Sequence, residues 1–137
     1  MHFLFKVNNL YLGGQHSSDS FSGLTDLGIK KVVNLRSSAE GDFSFEQEYF
    51  SDQGIEYFHF PILGENGFDR SSIDKLNKLI TKDNILIHCA SANRVAGWLI
   101  TYLVEEQGID FDKATDITMQ SELSNPGFIS AASVAIE

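Results

Sequence analysis

Apolar positions along this chain fall into two patterns, short continuous runs and longer stretches with three-to-four spacing, and the two alternate. Leu10-Tyr11-Leu12 before Gly13-Gly14 predicts a short strand stopped by a glycine turn. Ser20 as N-cap, Phe21, Leu24 and Leu27 on one face, and Gly28 beyond them predict a short helix. Ile29 to Leu35 reads as a strand whose Val32-Val33-Asn34-Leu35 run is too continuously apolar for a sheet edge, and it ends at Arg36. Ser44 with Gln47 has the spacing of a capping box opening a helix that holds Phe50 and closes at Gly54. Ile55 to Ile62 is the next strand, with Pro61 marking its end or an edge.

Ser71-Ser72-Ile73-Asp74 predicts another helix start, followed by Ile73, Leu76, Leu79 and Ile80 along one face. Ile85-Leu86-Ile87 is the most buried strand expected. Val95, Trp98, Leu99, Tyr102 and Leu103 then repeat at helical spacing, and Ile100 and Val104 give that helix a second apolar side, so it should be central, with Trp98 in the core. Gly108 ends it; Asp110 or Asp112 caps a further helix toward Met119, and Asn125-Pro126-Gly127 turns into a last one. Strands alternating with helices imply an α/β fold with a largely parallel sheet, whose sites form at the carboxyl ends of the strands.

The chain's 137 residues suit one domain spanning 1–137. A net charge of −9 with no Lys/Arg run argues against nucleic acid as a partner. No apolar run approaches the ~20 residues of a membrane span, and Met1 to Leu12 lacks the features of a signal peptide, so a soluble, cytoplasmic protein is expected. The single cysteine, Cys89, excludes an internal disulfide and any Cys-rich metal cluster. His2, His16 and His59 share no ligand-like spacing, so no metal is expected.

Between the buried strand and the central helix stand His88-Cys89-Ala90-Ser91-Ala92-Asn93-Arg94. The four short residues between thiol and guanidinium leave backbone amides free to face a common centre, and the helix start behind them adds positive potential. Such a loop holds an anion, with Arg94 gripping two of its oxygens. The same field favours thiolate at Cys89 and makes it a nucleophile rather than an inert core thiol. His88 is expected to orient the loop, and Ser91 and Asn93 to brace it.

The segments Tyr11 to Gln15, Gly28 to Arg36, Tyr57 to Ile62 and Ile85 to Arg94 together resemble dual-specificity and tyrosine phosphatases, most of all the bacterial phosphatase-like domains also found fused to beta-lactamase-like hydrolases. The likeness covers roughly residues 10–108, and only the His-Cys-to-Arg loop is a specific motif. It implies the three-layer cysteine-phosphatase fold, with a central, mostly parallel sheet of four to five strands flanked by helices. It also implies a mechanism in which the cysteine attacks phosphorus, the arginine binds phosphoryl oxygens and an aspartic acid protonates the leaving group.

This chain departs from the phosphatase signature in two ways: four residues rather than five separate Cys89 from Arg94, and Ala92 stands where a glycine is expected. The shorter spacing is similar to that of rhodanese-type sulfurtransferases, in which the cysteine carries a persulfide. The expected partner is accordingly a phosphorylated small molecule or phosphoprotein, or else a sulfur donor. A non-catalytic anion-binding module is the third reading. Neither chemistry requires a cofactor.

The resemblance places the acid after the strand ending near Pro61, where Asp69 is the candidate with Glu65 behind it; Asp69 also suits a helix N-cap or a solvated loop. Arg36 leaves the carboxyl end of a buried strand and is either a second anion contact or the partner of an acid such as Glu40. Gln15 either faces the same crevice or is a turn residue.

Overall fold

Three aliphatic residues in succession need cover on both faces and on both edges, and Ile85, Leu86 and Ile87 find all four in the middle of a five-stranded sheet. The computed structural model describes residues 4–14, 21–37, 41–64, 67–89 and 93–119. Its strands are β1 (Leu4–Val7), β2 (Leu10–Gly13), β3 (Ile29–Asn34), β4 (Glu56–His59), the two-residue pieces β5 (Leu63–Gly64) and β6 (Gly67–Phe68), and β7 (Asn84–His88). The main sheet runs β1-β2-β7-β3-β4; β2, β3 and β4 pair in parallel along β7 and β3, and β1 joins β2 as an antiparallel hairpin. β5 and β6 form a separate small hairpin.

The helices are α1 (Phe21–Thr25), α2 (Ser44–Asp52), α3 (Arg70–Leu79), α4 (Asn93–Glu105) and α5 (Phe111–Met119). Strand alternation sorts them into two layers. Leu10, Leu12, Val33, Leu35, Ile85 and Ile87 share one face and pack with residues of α3, α4 and α5. Val32 and Leu86 point the other way, to Phe21 and Leu24 of α1 and Phe50 of α2. The result is the expected α/β three-layer arrangement with a mostly parallel sheet. Among the described residues no helix is long and apolar enough to cross a membrane.

Several local expectations shift. The strand foreseen over 55–62 is shorter, and β4 lies at the sheet edge before Pro61. α2 does not use the Ser44/Gln47 capping box: Asp42 accepts from the Ser44 amide at 2.9 Å and from its hydroxyl at 2.6 Å. α3 starts earlier than Ser71, at Arg70, with Asp69 as its N-cap residue. The cap of α5 is Asp110, which accepts from the Lys113 amide at 2.9 Å. Gly28 and Gly54, both at φ 76°, supply the left-handed residues that follow α1 and α2. The Ser20 cap and the helix after Pro126 lie outside the described residues.

The bonds from Ser44 to Asp42 carry a pH signature. The Ser44 hydroxyl and then its amide hold the carboxyl below its ordinary value of 3.8. The stabilisation is therefore complete above that value and is lost as pH falls through the lower, folded-state value. Asp42→Ala should lower the thermal midpoint at pH 7, and the gap from wild type should close on acidification below 3.8, as followed by circular dichroism.

Candidate active site

The carboxyl ends of β2, β7 and β3 lie together at one edge of the sheet, because Gly13 pairs with His88 and His88 with Asn34. Cys89 leaves this edge next, its amide donating to the Gly13 carbonyl at 3.2 Å. The thiol residue is fully buried in the core layer under α3 and α4. α4 begins four residues later at Asn93, so half-buried Arg94 stands in its first turn. Ala90, Ser91 and Ala92, the middle of the foreseen cradle, lie outside the described residues, as do Gln15, Glu40 and Glu65.

Backbone bonds carry the same edge outward. The Leu35 amide donates to the His88 carbonyl at 2.8 Å, Ile62 donates to Leu35 at 3.4 Å, and Asp69 donates to Ile62 at 2.7 Å. Arg36 and Asp69 are thus both tied to the end of β7. Asp69 is exposed and accepts from the Ser72 hydroxyl at 2.7 Å. That bond, ahead of the other contributions, holds its carboxyl below the usual value, which favours the anion over the proton-donating form.

Arg36 does not reach into solvent. Its guanidinium forms an ion pair with Glu46 of α2 at 3.6 Å, donates from Nε to Asn34 Oδ1 at 3.1 Å and lies 3.9 Å from the centre of the Phe43 ring. Of the two roles foreseen for it, the acid partner is the one seen, and that partner is Glu46. His59 donates to the Arg36 carbonyl and packs edge-on against Phe43, with ring centres 5.2 Å apart.

Sequence reasoning missed Glu46, which is the centre of a buried polar cluster. His88 Nε2 lies 2.9 Å from Glu46 Oε2, and the Tyr57 hydroxyl donates to the same oxygen. Asn34 Nδ2 donates to Tyr57 at 3.2 Å. Burial, with the Glu46 bond adding to it, pushes the Tyr57 hydroxyl far above its usual range, so it keeps its proton. The signal was in the strands: Asn34, His88 and Tyr57 have the same parity as Val32, Leu86 and His59, which aims all of them at α2. Glu46 falls one turn before Phe50 on the face that covers them.

Adjacent strand residues face opposite ways, so His88 belongs to the α2 layer and Cys89 to the α4 layer. The His88 ring therefore faces Glu46 rather than the Cys89 side chain. No group of three or more His, Cys, Asp or Glu among the described residues is arranged to hold a metal ion.

No family model matches the sequence, and no curated protein does. Solved structures match its fold. A DUF442 protein from Shewanella putrefaciens CN-32 aligns at 16% identity over 96% of this chain and 89% of its own, with a TM-score of 0.74. TpbA of P. aeruginosa, a cysteine-to-serine form in complex with pTyr, aligns at 16% over 98% and 88%, with a TM-score of 0.72. Tk-PTP in its active form aligns at 14% over 93% and 90%, with a TM-score of 0.76. The fold is that of the tyrosine and dual-specificity phosphatases.

Proposed function

We propose that this chain is a cysteine-dependent phosphatase-like hydrolase acting on a phosphomonoester of a small molecule or phosphoprotein. The observation that carries the reading is the placement of Cys89 at the end of the central strand with Arg94 in the first turn of the helix that follows, within a fold shared with phosphatases. Cys89 Sγ, as thiolate, attacks phosphorus; the bond from phosphorus to the ester oxygen breaks, and that oxygen leaves with a proton. Arg94 and the amides of residues 90–94 hold the equatorial oxygens. Water then displaces sulfur, releasing phosphate and restoring the thiolate.

Asp69 is the proton donor in this scheme. Ser72 favours its carboxylate form, so the reaction is restricted to leaving groups that depart without much help, of which phenolates are the natural kind. The pTyr complex of TpbA supports an aryl phosphate as the substrate class. Arg36, held by Glu46, braces the site edge rather than gripping the anion. Within the class, the sequence likeness favours the bacterial domains also found fused to beta-lactamase-like hydrolases.

The four-residue interval from Cys89 to Arg94 supports one other reading, a rhodanese-like sulfurtransferase working through a Cys89 persulfide. The two separate in one pair of assays. Phosphate release from an aryl phosphate, without thiocyanate formation from thiosulfate and cyanide, is the expected result. Thiocyanate formation with a persulfide mass on Cys89, and no phosphate release, overturns it.

A further inference from the structure

Outside the site, one helix face combines exposed rings with unpaired carboxylates. Phe45, Glu48, Tyr49 and Asp52 stand at i, i+3, i+4 and i+7 of α2, which puts them on one side, while Glu46 and Phe50 take the buried side. Phe45 is 63% exposed, the most exposed large apolar side chain among the described residues. It does not stand alone. Buried Phe21 of α1 backs it, with ring centres 6.2 Å from Phe45 and 5.2 Å from Tyr49, so the rings form a continuous aromatic strip. Glu48 and Asp52 are exposed on the same strip and make no ion pair among the described residues.

The sequence around this strip holds no balancing charge. No Lys or Arg stands between Arg36 and Arg70, and α1 holds none. All 10 Lys and Arg residues of the chain fall within the described residues, and none of them pairs with Glu48 or Asp52. Arg36 is buried and paired with Glu46 on the other side of the helix. The strip also begins at the candidate site: Phe43, the residue before α2, lies on the Arg36 guanidinium and against His59, at the carboxyl ends of β3 and β4. From Phe45 to Asp52 it runs about 10 Å, the reach of about three residues of extended peptide. Rings beside free carboxylates suit a guanidinium or ammonium, which can stack on the ring and pair with the acid at once. Nucleic acid and anionic lipid are repelled by the same charges.

We propose that the outer face of α2 docks a Lys/Arg-rich segment of a protein partner, with an apolar residue of that segment set against Phe45. On the reading of this chain as a phosphatase, on which this extension rests, the partner is its phosphoprotein substrate and the segment flanks the phosphorylated residue. Each exposed ion pair adds little affinity by itself. The effect lies in encounter and selection: a phosphorylated residue flanked by cations reaches the site faster than one flanked by acids, and salt removes the difference.

The test compares two phosphotyrosyl peptides of equal length on the full chain, one flanked by Lys, Arg and Leu, the other with Glu in place of each cation. Wild type should favour the cationic peptide in kcat/KM by about 10-fold or more at low ionic strength, and the preference should shrink at about 0.5 M salt. Glu48→Lys combined with Asp52→Lys should abolish it, and Phe45→Ser, a change at an exposed position that the fold should tolerate, should weaken it. Turnover of p-nitrophenyl phosphate, which has no flanking residues, should stay unchanged in both variants. Equal kcat/KM for the two peptides, or a preference that survives the double charge reversal, overturns the inference. So does a wild-type dimer in sedimentation that Phe45→Ser dissolves, because the face then belongs to a second copy. If neither peptide nor p-nitrophenyl phosphate is hydrolysed but the unphosphorylated cationic peptide shifts the α2 amide resonances, the proposed function fails and the docking surface stands.

Discussion

Cys89→Ser is expected to reduce aryl-phosphate turnover by roughly 10⁴–10⁶-fold, the scale seen when a nucleophile is removed from a site that otherwise survives. The substitution is small and nearly isosteric in a fully buried position, so the fold should tolerate it. The loss is chemical. A serine hydroxyl needs a base to become a nucleophile, and the nearest imidazole in sequence, His88, is turned to the opposite face and committed to Glu46. Binding should separate from turnover: calorimetric titration with inorganic phosphate should give a similar affinity for wild type and Cys89→Ser and a lost signal for Arg94→Ala. Turnover retained in Cys89→Ser would remove the cysteine mechanism. Phosphate binding by a wild type that hydrolyses nothing would leave only an anion-binding module.

The legible part of the chain was the part decided locally. Ile85 to Ile87 and Val32-Val33 announced central strands because residues apolar on both faces have only one place to go in an α/β sheet. The glycine after α1 and the one after α2 were readable because a left-handed residue is a local demand. β1 went unread although Asn8-Asn9 between apolar runs is a turn signal, with Asn8 at φ 53°; four residues give little periodicity. β5 and β6 are too short to carry a pattern at all.

Two helix starts were misplaced for a related reason, although Asp69 and Asp110 had both been named as caps. Ser44/Gln47 and Ser71/Asp74 both match the helix-start spacing, but Asp42 and Asp69 each stand two residues upstream, and their carboxylates accept from Ser44 and from the Ser72 hydroxyl. The site divided along the same line. Cys89 and Arg94 were visible in one loop, whereas Glu46 depends on registers between β3, β4 and β7 that bring residues 34, 57 and 88 beneath α2. A buried carboxylate looks like any polar helix residue until its partners are known. Arg36 illustrates the cost: an acid partner was foreseen, but the nearer Glu40 hid the one supplied by the helix.

The second large effect concerns stability and reaches the site through α4. Trp98 is fully buried, stacks on Tyr102 with ring centres 5.2 Å apart and donates its indole N–H to Asn77 of α3 at 2.9 Å. Trp98→Ala should cost about 3–5 kcal/mol, the range for deleting a large aromatic from a close-packed core. Trp98→Phe keeps most of the apolar volume but leaves Asn77 Oδ1 without its donor, a loss of about 1 kcal/mol because Asn77 is only half-buried and water can reach it. Urea midpoints at constant slope would measure both. Trp98 lies one turn beyond Arg94, so the helix start and the core anchor share a face. If α4 is held in place by this anchor, Trp98→Phe should raise KM for an aryl phosphate more than it lowers kcat, as Arg94 loosens in the ground state. A stability loss with both constants unchanged would show that the position of Arg94 does not depend on this anchor.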